Sequence, residues 1–240
     1  MNVLITGGAS GLGEAITRLI ASKPEFKIYF TYANSKDRAL KIEENFSNVT
    51  SIKCDFNVDE EVNRLVDSLP NLDIDILINN AYNGQFLDSY FHKTNENDFL
   101  GSFRVNILPT IKITQASISI FRKKKFGKII TVLTAALVNN PPIGSSIYVA
   151  NKAYLMQLSK IWATENIKFN ICANTVSPAF MLTKFTESID DRIVEQIVAT
   201  HPLKRLLTTN EVAESVLFLI NSNQHVNGID LLINSGVNIK

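Results

Sequence analysis

Apolar positions along this chain follow two rhythms. Short runs rich in β-branched residues, Asn2–Thr6, Lys27–Tyr32, Thr50–Cys54, Asp75–Asn79, Lys128–Leu133 and Phe169–Asn174, carry too little polar alternation for a sheet with one wet face. They predict strands buried on both sides. Between them, apolar residues recur at helical spacing over roughly 11–22, 36–46, 58–69, 96–123 and 146–166, and a further helix over 209–221 leads to a last run, Ile229–Ile233. Strict alternation of strand and helix predicts an α/β fold: one parallel, doubly wound sheet with helices on both faces.

Two segments break the rhythm, the polar stretch Asn83–Asn97 and a region from Phe180 to Thr208. In an open α/β sheet, ligands sit beyond the carboxyl ends of the strands, where such irregular segments collect, so both are expected to wall a substrate site. No repeat, low-complexity tract or linker divides the chain, and residues 1–240 are expected to form a single domain with a loop region at about 180–208 beside that site.

Composition narrows the partners. Of 240 residues, 45% are hydrophobic and 20% charged, which predicts a packed interior rather than disorder. With 24 basic against 23 acidic residues the net charge is +1, too small a field to hold nucleic acid or an anionic membrane. Cys54 and Cys172 stand alone, without the spacing of a zinc site or a disulfide framework, so no metal is expected and a reducing cytoplasm is the expected location. Residues 2–6 read as a strand, and no run of 18 apolar residues follows.

The most specific motif is Thr6-Gly-Gly-Ala-Ser-Gly-Leu-Gly13, placed between the first strand and first helix. Glycines there let the chain turn tightly and let backbone N–H groups approach a pyrophosphate at the positive end of the helix. Gly7, Ser10, Gly11, Leu12 and Gly13 are therefore candidate cofactor ligands. After the second strand, where a carboxylate would bind the ribose 2′-hydroxyl of NAD, the chain offers Asn34 and Ser35, with Lys36 and Arg38 beyond. A 2′-phosphate would meet no repulsion there, which favours NADP over NAD. Asn34 and Ser35 also suit the cap of the next helix.

The spacing Gly7-x-x-x-Gly11-x-Gly13 resembles that of the short-chain dehydrogenases/reductases, and later positions extend the resemblance over nearly the whole chain. It implies a Rossmann-like domain with a seven-stranded parallel sheet. Asp55 resembles the family's acid at the adenine amine, followed by Phe56, and Asn79-Asn80-Ala81 resembles its N-N-A-G, with Tyr82 in place of glycine. Pro178-Ala-Phe-Met-Leu-Thr183 resembles P-G-x-x-x-T, so the resemblance assigns Asn80, Ala81, Pro178, Met181 and Thr183 to the cofactor. The segments Pro202–Ala213 and Gly228–Gly236 match family patterns that belong to the core and the oligomer interface.

Tyr148 and Lys152 lie four residues apart, on one face of a predicted helix. Hydride delivery to a carbonyl leaves an alkoxide that must receive a proton, and a phenol near pKa 10 donates slowly at neutral pH. A neighbouring ammonium corrects the mismatch, since a shift of about 3 units needs on the order of 4 kcal/mol. Tyr148 is thus expected as acid/base and Lys152 as pKa tuner and ribose-hydroxyl donor, both also touching cofactor. The resemblance brings Thr134 to the family's substrate-orienting serine, keeping the hydroxyl with a stiffer χ1. It brings Asn106 to the asparagine whose main chain helps hold a relay water in a bent helix, and Pro109 supplies a local reason for such a bend.

The overall pattern is closest to β-ketoacyl carrier-protein reductases, which implies NADPH-dependent reduction of a 3-oxoacyl thioester as in fatty acid biosynthesis. Arg122-Lys-Lys-Lys125, Lys128 and Lys168 then become candidates for docking an acidic acyl carrier protein, or else a solvated helix end. The alternatives are a reductase or dehydrogenase of another small alcohol or sugar, and a cofactor-binding relative without turnover. The resemblance also implies a homotetramer or homodimer through the helices at 96–123 and 146–166.

Overall fold

The computed structural model describes residues 1–86, 89–138, 140–187 and 189–237. Leu87, Asp88 and Ser188, which fall in the two irregular segments, lie outside the described residues, as do residues 238–240. Seven strands, β1 (Asn2–Ile5), β2 (Lys27–Tyr32), β3 (Val49–Lys53), β4 (Ile76–Asn79), β5 (Gly127–Val132), β6 (Ile171–Pro178) and β7 (Asp230–Ile233), pair in the order β3-β2-β1-β4-β5-β6-β7. Every pairing is parallel.

The strand period of two sorts the core into two layers. Val3, Ile5, Ile28, Phe30, Ile76 and Ile78 point to one face and pack with α1 (Gly11–Ala21), α2 (Lys36–Asn45) and α7 (Thr209–Asn221). Leu4, Tyr29, Leu77, Ile129 and Ala173 point to the other, against α3 (Asp59–Leu72), α4 (Glu96–Lys124) and α5 (Ser146–Asn166). A last helix, α6 (Asp191–Thr200), lies in the irregular region and buries none of its residues. The winding direction reverses between β1 and β4, which opens a crevice at their carboxyl ends.

Element boundaries follow the sequence pattern closely except before β6. The predicted run began at Phe169, but Ile167–Phe169 form a 3-10 turn closed by Asn170 at φ 60°, and the strand instead runs to Pro178. Apolar content alone does not separate a turn from the start of a buried strand. The helix α3 also continues past its expected end to include Pro70, whose ring sits in the last turn. Cys54 and Cys172 are buried, unbridged thiols. Among the described residues no helix is long and apolar enough to cross a membrane.

Candidate active site

The glycine loop is folded for close approach of backbone to ligand. Gly7 and Gly11 take φ of 67° and 54°, and a Cβ on Gly13 would fall 2.0 Å from the Gly7 carbonyl oxygen. Only hydrogen fits at Gly13, and the two positive φ values favour glycine on steric grounds. The loop is fastened from both neighbouring strands: Gly7 N donates to Thr31 Oγ1 at 2.9 Å, and Asn80 Nδ2 donates to the carbonyls of Thr6 and Gly7 at 3.0 and 3.1 Å. Thr6 Oγ1 in turn accepts from the amides of Asn80 and Ala81, both at 3.0 Å. Ser10 caps α1 without a side-chain capping bond, and Leu12 lies buried behind it. Across the crevice, a Cβ on Gly11 would lie 3.6 Å from Thr183 Cβ.

Along the crevice from this cradle lie Tyr32, Ala33, Asn34 and Ser35, then Asp55 and Phe56, all lining one cavity of about 590 Å³. Ser35 occupies the N-cap position of α2 but makes no side-chain capping bond, so its hydroxyl remains for a ligand. Asp55 is held as a local turn: its Oδ1 accepts from Asn57 N at 2.9 Å and Asn57 Nδ2 at 2.8 Å, while its own amide donates to Glu61 Oε2 at 2.6 Å. A glycine cradle at a helix N-terminus and a β2 end without a carboxylate suit a dinucleotide carrying a 2′-phosphate.

At the far end of the same cavity, β5 delivers Thr134 and α5 presents Tyr148 and Lys152 on one face. All three are buried. Thr134 Oγ1 accepts from Ala136 N at 3.3 Å, which orients its hydroxyl. Burial drives the Tyr148 phenol well above its ordinary pKa, the nearby Thr134 hydroxyl opposes that rise, and neighbouring Tyr82 adds to it. Burial likewise pulls Lys152 down to about 7. In the free protein desolvation therefore pushes both groups toward neutrality. Lys152 Nζ donates to the Val132 carbonyl at 2.8 Å.

Helix α4 is continuous through Pro109, and the Asn106 carbonyl accepts from the Thr110 hydroxyl at 2.7 Å. Its side chain clamps the segment after β4, accepting from Asn83 N at 2.6 Å and donating to Asn83 O at 2.8 Å.

The aromatic side chains around Tyr148 were not legible as a group. Tyr82, Phe86 and Phe185 surround it with ring centroids 5.1, 5.3 and 5.4 Å away. Phe180, Ile189, Ile193 and Ile197 extend this apolar wall, while Pro178, Ala81 and Met181 line the cavity toward the cradle. The spacing of Ile189, Ile193 and Ile197 at i, i+4 and i+8 was the available signal.

The basic cluster is dispersed by the fold. Lys128 belongs to β5 and is 7% exposed; its Nζ donates to the carbonyl of Ile220 at 2.5 Å and to that of Ser222, closing the C-terminus of α7. Lys124 pairs with Asp73 at 3.1 Å and with Asp75, and Arg122 Nε donates to Asn166 Oδ1 at 2.7 Å. Lys123, Lys125 and Lys168 remain exposed. Within one chain they sit at the amino ends of β5 and β6, a strand's length of roughly 20 Å from the crevice.

Comparison with known proteins gives concordant results. The family model described as Enoyl-(Acyl carrier protein) reductase matches residues 7–238. The chain is 27% identical over 237 residues to Carbonyl reductase family member 4 of Xenopus laevis, covering 98% of this chain and 97% of that protein. It is 30% identical over 244 residues to the 3-oxoacyl-[acyl-carrier-protein] reductase FabG of Thermotoga maritima, covering 98% and 96%. Among solved structures it superposes on ElxO with NADP bound at TM-score 0.86 and 26% identity, covering 98% and 97%, and on a putative betaketoacyl-ACP reductase at TM-score 0.84 and 27% identity, covering 98% and 97%.

Proposed function

The chain belongs to the short-chain dehydrogenase/reductase family of NAD(P)-dependent oxidoreductases, and from that premise we propose that it is an NADPH-dependent reductase of a carbonyl, a 3-oxoacyl thioester above all. The observation that carries the reading is the meeting of two hydroxyls, Thr134 and Tyr148, at one end of a cavity whose other end is the glycine cradle.

In this reading Gly7, Ser10, Gly11, Leu12 and Gly13 hold the diphosphate, and Asn34 and Ser35 receive the 2′-phosphate. Asp55 and Phe56 border the adenine, and Asn80, Ala81, Pro178, Met181 and Thr183 close around the nicotinamide half. NADPH, when bound, supplies the hydride that reduces the carbonyl carbon. Thr134 and Tyr148 present two O–H donors to the carbonyl oxygen and hold it as negative charge grows there. Tyr148 then transfers its phenolic proton to that oxygen, giving the alcohol and a phenolate. Lys152, as an ammonium, stabilises the phenolate until solvent returns a proton. The wall of Phe86, Phe180, Phe185, Ile193 and Ile197 suits an apolar acyl chain and excludes water from the charge-bearing atoms.

An acyl carrier protein is proposed as the bearer of that chain, on the strength of the relatives that act on such carriers. Exposed Leu100, Leu108, Tyr154 and Ile161 on α4 and α5 support association of copies through these helices. The test is NADPH oxidation followed at 340 nm with acetoacetyl, crotonyl and free ketone substrates. Turnover of acetoacetyl thioester without turnover of crotonyl thioester supports carbonyl reduction. Turnover of the enoyl thioester alone overturns it.

A further inference from the structure

We propose that Tyr82, which stands where the family pattern has glycine, is a positioning residue for Lys152: the face of its ring holds the lysine ammonium beside Tyr148. The inference rests on the roles given to Tyr148 and Lys152 above.

Lys152 Nζ lies 5.0 Å from the centroid of the Tyr82 ring, closer than the 5.8 Å to Tyr148 on its own helix. The groups that face it from the packed elements are Tyr148 on α5, Tyr82 after β4 and the Val132 carbonyl at the end of β5. Among the described residues no carboxylate pairs with it, and the side chain is buried. A buried cation with one acceptor and no counter-charge is costly, and the negative face of an aromatic ring is the remaining source of attraction within reach. Burial alone draws Lys152 toward neutrality. The ring works in the opposite direction.

The ring is also fixed in orientation. Its hydroxyl accepts from Asn151 Nδ2 at 3.4 Å, and that nitrogen donates to Ser102 Oγ at 2.9 Å, which Asn106 Nδ2 reaches at 3.2 Å. Tyr82 packs edge-on against Tyr148 at an interplanar angle of 89° and against Phe185 at 79°. Asn106 grips the backbone of Asn83 immediately afterwards, and Gly84 at φ 131° lets the chain turn away. A side chain held by a hydrogen bond at one end and aromatic edges along its length presents one face steadily to one cation. The network runs from Lys152 through Tyr82, Asn151 and Ser102 to Asn106, linking α5 to α4.

The test reads Lys152 directly, in the full-length protein without cofactor. Lysine labelled with 13C at Cε is titrated by NMR, with the Lys152 resonance identified by its loss in Lys152→Met. Removing the ring in Tyr82→Leu lowers the Lys152 midpoint by about half to one pH unit. Tyr82→Phe, which keeps the face and loses the hydroxyl, holds the midpoint near that of the natural chain. Should Tyr82→Leu not fold, pentafluorophenylalanine at position 82 keeps the shape, reverses the ring quadrupole and lowers the midpoint in the same way. An unchanged midpoint in the variant without an attractive face overturns the proposal, as does a fall in Tyr82→Phe equal to that in Tyr82→Leu. These readings need no turnover, so they stand apart from failure of the reductase reading, which Tyr148→Phe tests.

Discussion

Asn80, at the end of β4, donates to the Gly7 carbonyl at 3.1 Å and so ties the phosphate loop of one strand to the strand beside it. The same nitrogen reaches the Thr6 carbonyl at 3.0 Å, and a Cβ on Gly13 would come within 2.6 Å of it. The cradle is therefore shaped as much by the fourth strand as by its own glycines. Replacing Asn80 with alanine leaves two loop carbonyls without this donor, at about 1 kcal/mol per bond. Asn80→Ala is expected to weaken NADPH binding about tenfold or more, as measured by calorimetric titration, with the far-ultraviolet spectrum unchanged.

The two hydroxyls at the catalytic end differ in what their loss removes. Tyr148→Phe removes the proton donor and is expected to lower kcat by about 10²–10⁴-fold while NADPH still binds. Thr134→Val removes only an oxygen-holding donor and is expected to cost about 10²–10³-fold, with Thr134→Ser restoring most of the activity. Steady-state NADPH oxidation separates the two.

Lys152 supplies a prediction about stability. Its pKa in the folded chain is lowered to about 7 by burial, below that of an unfolded lysine near 10.4. Between those values the unfolded chain binds more protons, so this group makes stability rise with pH across that window. Below about pH 7 the full cost of burying the ammonium is present. Lys152→Met removes that cost. It is expected to raise Tm most at pH 6 and progressively less toward pH 10, as read by scanning calorimetry.

Lys128 is a structural lysine, and its replacement should show this. In Lys128→Met the carbonyls of Ile220 and Ser222 lose their buried donor at the end of α7, a loss of about 1–3 kcal/mol. For a chain of this size each kcal/mol lowers Tm by about 2–4 °C. Turnover at a temperature below the melt is expected to persist, since the side chain lies at the opposite end of β5 from Thr134.

The positions that local chemistry dictates were legible. Short apolar, β-branched runs and period-3.6 patterns gave the order of strands and helices, and the glycine spacing after β1 marked the turn where Gly7 and Gly11 take positive φ. Four-residue spacing put Tyr148 and Lys152 on one helical face, because a helix brings i and i+4 together whatever surrounds it. Other features depend on packing between segments remote in sequence. Lys128 read as part of an exposed basic run until α7 packed across β5 and offered it carbonyls 92 residues away. Tyr82 stood at a position where the family pattern has glycine, and only the approach of α5 gave its hydroxyl Asn151 and gave its face Lys152.

The sequence by itself determined a parallel doubly wound sheet, a glycine-rich turn after its first strand and a phenol and an amine on one helical face, since each follows from pattern and spacing along a few turns of chain. The tertiary structure alone decided which charges became buried, which aromatic rings closed around Tyr148 and what stands against Lys152. Those outcomes are set by the juxtaposition of separate helix faces, and the energies that fix them, desolvation and ring-face attraction, act through space rather than along the chain.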